Sequence, residues 1–302
     1  MRAPDLARLL ALAAIWGASF LFARMAVPSL GAAWLTELRV ALAGVVMTIY
    51  AVSVGVRLDP MRHWRHYLFL GVVNTALPWV MYAYAAHFIN ASYLGILNAT
   101  TPWFAALSGA LWLGEPFTKG KAAGLAIGVV GVAMVVGLGP LEVNTDVVIG
   151  SLACIAGAAC YAVSGTYVKK RAQGVPGLGL TAGSLIVATA ALWPTLPGPL
   201  AAQSLLDWKV AVAVLGISLL CSAAAYVLYF RLLADVGPTK SLTVAFLIPV
   251  FAALWGALFL GEPVGVMTVV GGAMILFASA LVLELWPRRG ALRHVTIPGS
   301  ES

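Results

Sequence analysis

Charged side chains are scarce in this sequence. Only 10% of its 302 residues are charged and 62% are hydrophobic, and the mean hydropathy is +0.97. A soluble domain cannot bury so much apolar surface, because about half apolar content is already normal for a folded protein. The composition therefore excludes an ordinary soluble protein and predicts a membrane protein.

Cysteine and histidine are also few, and they form no recognisable chemical motif. The three cysteines, Cys154, Cys160 and Cys221, fall within apolar runs, where free thiols behave as small hydrophobic side chains. This placement argues against a disulfide framework and a metal site. The four histidines are scattered, and no Walker loop, nucleotide-binding fingerprint or Ser/His/Asp arrangement is present. We therefore expect no metal, no cofactor and no catalytic activity.

Long apolar runs, by contrast, are abundant. A helix of about 20 residues spans a hydrocarbon layer of about 30 Å. Ten such windows occur, at 6–27, 34–54, 67–87, 92–113, 121–138, 147–168, 178–195, 210–230, 240–260 and 265–286. The runs are continuous rather than alternating, which favours helices over a β-barrel. The sequence predicts an all-α membrane protein with ten transmembrane helices.

The net charge of +7 is distributed unevenly along the chain. If the N-terminus is cytoplasmic, fifteen of the 18 cations lie in cytoplasmic segments and only Lys209 lies outside. The fifteen are Arg2, Arg8, Arg57, Arg62, Arg65, Lys119, Lys121, Lys169, Lys170, Arg171, Arg231, Lys240, Arg288, Arg289 and Arg293. The positive-inside rule then places both termini in the cytoplasm. The orientation of the chain in a lipid bilayer thus explains the positive charge, and a nucleic-acid partner is not needed to explain it.

One segment of the sequence occurs twice. PWFAALSGALWLGEP begins at Pro102 and PVFAALWGALFLGEP begins at Pro249, and the two are identical at twelve of fifteen positions. Upstream, WGASFLFAR from Trp16 matches YAVSGTYVK from Tyr161. The chain therefore divides into two five-helix repeats, at 1–140 and 146–290, followed by a predicted cytoplasmic tail at 291–302. Since five is odd, the second repeat is inverted, as in many secondary transporters with alternating access.

These features resemble the EamA branch of the drug/metabolite transporter superfamily. The resemblance rests on WGASFLFAR, on ILNATTPWFAALSGALWLGEP at 96–116, and on the second GEP motif at 261–263. It implies a carrier for small metabolites in the bacterial inner membrane, commonly an exporter of amino acids or related compounds. The alternative is an intramembrane enzyme or scaffold that acts on lipid-like molecules, although an enzyme would need a titratable pair that the sequence lacks.

The repeated segment also differs between its two copies. Asn98, Thr100 and Thr101 precede Pro102 in the first copy, but the corresponding residues in the second copy are Ala245, Leu247 and Ile248. A solute is not symmetric, so polar residues present in one copy only are candidates for contacting it. We expect Asn98 and Thr101 in the substrate site, although the threonines could serve only to repair the helix at the proline.

Three prolines in apolar runs are predicted to act as helix hinges. Pro78, Pro102 and Pro249 each remove one backbone hydrogen bond and should bend their helices. Asn74 and Tyr82 lie four residues to either side of Pro78, so all three should share one helical face. Trp79 is a further site candidate, with a lipid-facing position as the alternative.

The matching first helices of the two repeats carry further candidates. Trp16, Ser19 and Phe20 in the first repeat, and Tyr161 and Ser164 in the second, could form two aromatic walls of a central cavity. Simple helix packing is the alternative for these five residues.

Few charged or titratable residues fall within or at the ends of the predicted spans. Arg24 and Glu37 flank a short turn, so an ion pair near the outer face is expected. Arg39 would then be left to face a carboxylate-bearing solute or to extend its side chain toward the interface. Glu37 and His87 are the candidates for a proton role, with an interfacial position as the alternative for His87.

Glycines are abundant in two of the predicted spans. Gly124, Gly128 and Gly131, together with Gly271 and Gly272, allow close approach of helices. They predict either helix packing within the chain or a homodimer interface.

Overall fold

The computed structural model describes residues 3–200, 202–241 and 243–285, and all regular secondary structure in these ranges is helical. The predicted tail at 291–302 lies outside the described residues, as do Arg2, Arg288, Arg289 and Arg293. The all-α prediction therefore agrees with the structure over the described ranges.

The first repeat contains six α-helices and one π-helical segment. They are α1 (Ala3–Ser53), α2 (Pro60–Phe69), the first π segment (Leu70–Ala76), α3 (Leu77–Ala85), α4 (Ala91–Asn98), α5 (Thr101–Leu113) and α6 (Lys119–Leu138).

The second repeat has a similar order of elements. They are α7 (Thr145–Arg171), α8 (Gly177–Leu192), two short 3₁₀ turns (Trp193–Thr195 and Ala202–Leu206), α9 (Trp208–Leu215), the second π segment (Gly216–Ala224), α10 (Ala225–Val236), the short α11 (Pro238–Ser241), α12 (Val244–Leu260) and α13 (Val266–Val282).

Six helical stretches in the described ranges are long and apolar enough to cross a membrane. They are Ala3–Ser53, Pro60–Ala85, Lys119–Leu138, Thr145–Arg171, Gly177–Thr195 and Trp208–Val236. Helices α12 and α13 are apolar but shorter, with 17 residues each. The protein is thus a multi-pass membrane protein, while the count of ten spans and the inversion of the second repeat stay predictions.

The first two predicted spans are joined in α1. Gly31 alone leaves the helical conformation, with φ of 74° and ψ of 164°, a combination that glycine adopts without strain. Of the two residues expected to turn the chain between Arg24 and Glu37, Gly31 does so, whereas Pro28 lies inside the helix. One residue provides the kink, because a glycine with positive φ changes the chain direction by itself.

The two repeated prolines have different effects on their helices. Pro102 lies in the first turn of α5 after a break that follows Asn98, where a missing N–H removes no helical hydrogen bond. Pro249, by contrast, lies inside the continuous helix α12. The prediction of equivalent kinks is wrong, because the first copy begins a new helix at its proline.

Three carbonyls at the break between α4 and α5 accept hydrogen bonds from side-chain hydroxyls. Thr100 donates to Leu97 over 2.7 Å, Thr101 to Asn98 over 2.7 Å, and Ser279 of α13 to Ala99 over 2.6 Å. Within a membrane, backbone groups without a partner cost several kcal/mol each. The hydroxyls therefore allow the break to exist, and the Thr101 bond agrees with its predicted repair role.

The two repeats pack across each other. Helix α1 of the first repeat packs on α12 of the second, and α7 of the second packs on α5 of the first. Both α5 and α12 end at a GEP motif, where Gly114 and Gly261 adopt left-handed conformations with φ of 67° and 64°. The motif therefore ends the corresponding helix in each repeat.

The glycine-rich helices α6 and α13 pack against each other. A Cβ atom added to Gly124 would lie 2.8 Å from the carbonyl oxygen of Ala278, and one added to Gly131 would lie 2.8 Å from that of Gly271. These glycines therefore allow close packing within the chain, and they no longer support a homodimer interface.

Gly128→Ala and Gly137→Ala should change stability in opposite directions, although both lie on α6. A Cβ at Gly128 would lie 2.1 Å from the Trp103 ring, whereas Gly137 has nothing within 4 Å. Trp103 cannot move freely, because its indole N–H donates to Ser279 over 3.1 Å. We expect Gly128→Ala to cost about 1–3 kcal/mol of stability and Gly137→Ala to be neutral or stabilising.

Thermal unfolding of the two purified variants in one detergent measures this difference. Equal unfolding temperatures would contradict the packing of Trp103 against α6.

Candidate functional site

A cavity of about 540 Å³ lies between the two repeats. Helices α1, α3, α5, α7, α10, α12 and α13 contribute to its walls, together with both π segments and the break at Asn98. Eight aromatic side chains line it: Trp16, Phe20, Trp79, Tyr82, Tyr161, Tyr226, Tyr229 and Phe246. Concave, largely aromatic walls with a few polar groups are typical of small-molecule sites.

Most of the candidate residues named from the sequence line this cavity. Those that do are Asn98, Thr101, Asn74, Tyr82, Trp79, Trp16, Ser19, Phe20, Tyr161, Arg39 and Pro102. Ser164 is buried elsewhere, and its hydroxyl makes no hydrogen bond with the described residues. Pro78 and Pro249 are also absent from the cavity wall. Packing therefore accounts for Ser164, whereas Trp16, Phe20 and Tyr161 pack in the hydrophobic core and also line the cavity.

Asn98 is the last residue of α4, at the edge of the break. Its side-chain oxygen accepts a hydrogen bond from the Tyr82 hydroxyl over 2.7 Å. The Tyr82 ring lies between Phe20, at 5.8 Å between ring centroids, and Tyr161, at 5.9 Å and nearly parallel to it. The amide is thus held by a hydrogen bond to the middle ring of an aromatic row, and Asn98 lines the cavity.

The first π segment changes the register of the third predicted span. Pro78 has no N–H to give to the carbonyl of Asn74, and the N–H of Leu77 instead reaches back five residues to Val72. Because of this wider turn, Asn74 and Tyr82 line the cavity while Pro78 is buried away from it. The prediction that all three project together is wrong for the proline.

Arg39 projects into the cavity from α1. Its Nε donates to the Ser222 hydroxyl over 3.0 Å, and its guanidinium carbon lies 3.6 Å from the centre of the Trp79 ring. Trp79 is itself buried, so the lipid-facing alternative for this tryptophan is wrong. The guanidinium is held flat on an aromatic face, an arrangement that stabilises a cation away from bulk water.

Arg24 forms an ion pair, but its partner is not Glu37. Its Nε lies 2.9 Å from Glu262, and its Nη1 donates to the carbonyl of Ala86 over 2.6 Å. Glu262 in turn accepts from the N–H of Ala91 over 2.7 Å. The expected pair with Glu37 is wrong, because cross-packing of α1 on α12 brings the second GEP carboxylate to Arg24.

The second repeat contains the matching ion pair. Lys169, which corresponds to Arg24, pairs with Glu115 of the first GEP motif. The two pairs differ in exposure: the Glu262 side chain is 8% exposed, whereas that of Lys169 is 63% exposed. The repeats are therefore linked at two places, by a more buried ion pair at Arg24 and a more exposed one at Lys169.

The two residues considered for a proton role lie outside the cavity wall. Glu37 is buried in α1, and one of its carboxylate oxygens makes no hydrogen bond with the described residues. His87 lies in the turn after α3. Partial burial lowers the pKa of its imidazole below the ordinary value, and the charge of Arg24 lowers it further. Both effects favour the neutral imidazole.

Several residues that line the cavity were not predicted from the sequence. They include Tyr226, Tyr229, Phe246, Cys221 and Ser279. Tyr226 and Tyr229 both contact the Trp16 ring, at 6.4 and 5.4 Å between centroids. Their spacing of three residues after an apolar run was an available signal, but the second π segment that orients them leaves no pattern in the sequence.

Comparison with known proteins identifies relatives over most of the chain. The model of the EamA-like transporter family matches residues 6–137 and 148–284. An uncharacterized transporter of Bacillus subtilis, YvbV, is 25% identical over 277 residues, which cover 89% of this chain and 88% of the relative. An uncharacterized transporter of Archaeoglobus fulgidus is 27% identical over 265 residues, covering 87% and 91%.

A solved crystal structure has a similar fold. It is 19% identical in sequence, superposes with a TM-score of 0.60, and the match covers 94% of this chain and 98% of that one. At this identity the match supports a shared fold alone.

Proposed function

Because this chain belongs to the EamA-like transporter family of the drug/metabolite transporter superfamily, we propose that it exports small amphipathic metabolites, such as amino acids or related compounds, by alternating access. The observation that carries this proposal is the cavity of about 540 Å³ between the two repeats. Family membership indicates transport rather than catalysis. The cavity supplies a place where a solute of that size would bind.

The two copies of the repeated segment face the same cavity with different chemistry. Asn98 and Thr101 line it from the first repeat, and their counterparts Ala245 and Ile248 line it from the second. The first copy therefore contributes polar side chains to the cavity wall and the second copy apolar ones. This asymmetry fits an amphipathic solute, whose polar end would contact the break between α4 and α5.

The two matching ion pairs support alternating access. Each connects the first helix of one repeat to the GEP end of a helix in the other, and the pairs differ in exposure. Transporters built from inverted repeats open at each end in turn by exchanging the arrangements of their two halves. Arg24–Glu262 and Lys169–Glu115 are suited to closing opposite ends of the cavity.

The cation distribution supports an orientation with both termini in the cytoplasm. Under the positive-inside rule, the Lys169–Glu115 pair lies at the cytoplasmic end and the Arg24–Glu262 pair at the outer end. The proposed location is the bacterial inner membrane, and the proposed direction is outward.

Counterflow in liposomes tests the proposed function. Purified protein is reconstituted into vesicles loaded with one unlabelled solute at a time, and uptake of the same labelled solute is measured for amino acids, organic acids and amines. We expect transient accumulation of at least one amphipathic solute. Accumulation of none of them would overturn the transporter assignment, and movement of other solutes only would overturn the amino-acid class.

Asn98→Ala should impair this counterflow by more than its loss of stability explains. Asn98 lines the cavity and its side chain accepts from the Tyr82 hydroxyl, so its loss removes a solute contact together with about 1 kcal/mol of stability. Asn144→Ala is the matched control, because Asn144 caps α7 by accepting from the N–H of Val147 over 2.8 Å. That variant should lose about 1 kcal/mol of stability and keep normal transport. An equal effect of the two substitutions on counterflow would contradict the role of Asn98.

Glu262→Gln should open the cavity toward the Arg24 end. Ala23, beside Arg24, lines the cavity, and a cysteine placed there reports access from that end once the three native cysteines are replaced. Removing the Glu262 charge weakens the closing ion pair, so we expect labelling by a membrane-impermeant thiol reagent to accelerate by about tenfold, or about 1.4 kcal/mol. Glu142→Gln, an exposed carboxylate between α6 and α7, is the control. Unchanged labelling in Glu262→Gln would contradict the closing role.

A further inference from the structure

The charge of the cavity is unbalanced. Among the described residues that line it, Arg39 is the only one with a charged side chain. In the described part of the chain, no carboxylate lies within ion-pair distance of the Arg39 guanidinium. Charges inside membrane spans are costly, and they are normally paired or functional. An unpaired arginine in the cavity therefore requires an explanation.

The contacts of Arg39 position the guanidinium without using its terminal nitrogens. Nε donates to Ser222, whose own hydroxyl donates to the carbonyl of Ile217 over 2.9 Å. The Trp79 ring supports the face of the guanidinium at 3.6 Å. Neither terminal nitrogen has a hydrogen-bond partner among the described residues. Their N–H groups form the planar fork that binds a carboxylate through two parallel bonds.

Arg39 is also specific to one repeat. The alignment that places Trp16 on Tyr161 and Arg24 on Lys169 places Arg39 on Ser184. Arg39 is in this respect like Asn98, whose counterpart is Ala245. Both residues line the cavity, and neither has a counterpart of the same chemistry in the other repeat. The duplicated fold does not need this cation.

We propose that the solute of this cavity is an organic monocarboxylate with an apolar or aromatic body, and that Arg39 binds its carboxylate. This inference rests on the proposed transport function, and among the amphipathic solutes proposed there it favours monocarboxylates without an amino group over amino acids. The body of the solute lies against the aromatic wall that includes Trp16, Tyr82 and Tyr161. An amino group on the solute is not required, because the described cavity wall has no carboxylate to pair with an ammonium ion.

The charge of the cavity wall also disfavours other charged solutes. A phosphate ester carries close to two negative charges at neutral pH, and the described wall offers one cation. An amine would place a second positive charge beside Arg39. A zwitterionic amino acid would satisfy Arg39 but would lose hydration of its ammonium group without gaining an ionic partner, which is costly.

Binding of four solutes with the same aromatic body tests this proposal without requiring transport. The probes are phenylpropionate, phenylpropanamide, phenylalanine and phenethylamine, and the readout is the unfolding temperature of the purified protein titrated with each at neutral pH. We expect phenylpropionate to bind about tenfold or more tightly than the amide, and more tightly than phenylalanine, with no stabilisation by the amine. Equal binding of acid and amide, or tighter binding of phenylalanine or the amine, would overturn the proposal.

Variants of Arg39 identify the residue responsible. Arg39→Gln should remove the preference for phenylpropionate over the amide, and Arg39→Lys should keep part of it, because the charge remains but the fork is lost. Arg65→Gln is the matched control, since Arg65 also lies over a tryptophan, Trp64 at 5.4 Å, but is exposed on α2. A preference that survives Arg39→Gln would contradict the assignment. If Arg39→Gln does not fold, Arg39→Lys and the binding of the four solutes to the wild-type protein still test the proposal.

The outcomes separate this inference from the transport proposal. Phenylpropionate binding that depends on Arg39, with no counterflow of any solute, would support the site and overturn the carrier. Counterflow of other solutes, with no preference for the carboxylate over the amide, would support the carrier and overturn the site.

Discussion

The Ser279 hydroxyl connects the parts of this structure on which the cavity depends. It donates to the carbonyl of Ala99 at the break between α4 and α5, and it accepts from the indole of Trp103. The Trp103 ring in turn packs on Gly128 of α6. Within a membrane a helix can be interrupted only where its free carbonyls find partners. This one side chain therefore joins the break to α6 and α13, and the break is what presents Asn98 to the cavity.

The sequence predicts this site well where the signal is local or repeated. The duplicated segment located the break, the helix ends at Gly114 and Gly261, and the polar residues present in one copy only. It did not predict that Arg24 would pair with Glu262, because the two lie 238 residues apart and meet only through packing of α1 on α12. The π segments were missed for another reason, since one extra residue in a helical turn leaves an apolar run unchanged.

The features that the two repeats share and the features in which they differ have separate consequences. Matching features, such as the GEP helix ends and the two ion pairs that cross between repeats, occur twice and maintain the fold. The features that would recognise a solute occur once, and their counterparts in the other repeat have different chemistry. Asn98 at the break corresponds to Ala245, which also lines the cavity, and Arg39 corresponds to Ser184. Two similar halves thus contribute different side chains to one site.

The placement of charge also explains how binding and movement could be linked without a coupling ion. The ion pairs Arg24–Glu262 and Lys169–Glu115 link the two repeats, whereas the described cavity wall holds an arginine without an ion-pair partner. Exposing that cation to a new environment is costly when the cavity is empty, because an isolated charge is stabilised mainly by its fixed surroundings. A bound carboxylate cancels the charge and lowers this cost for the loaded protein alone. In this scheme the anion that the cavity selects also favours reorientation of the protein, as an exchanger or facilitator requires. No carboxylate of the protein is needed in the transport path.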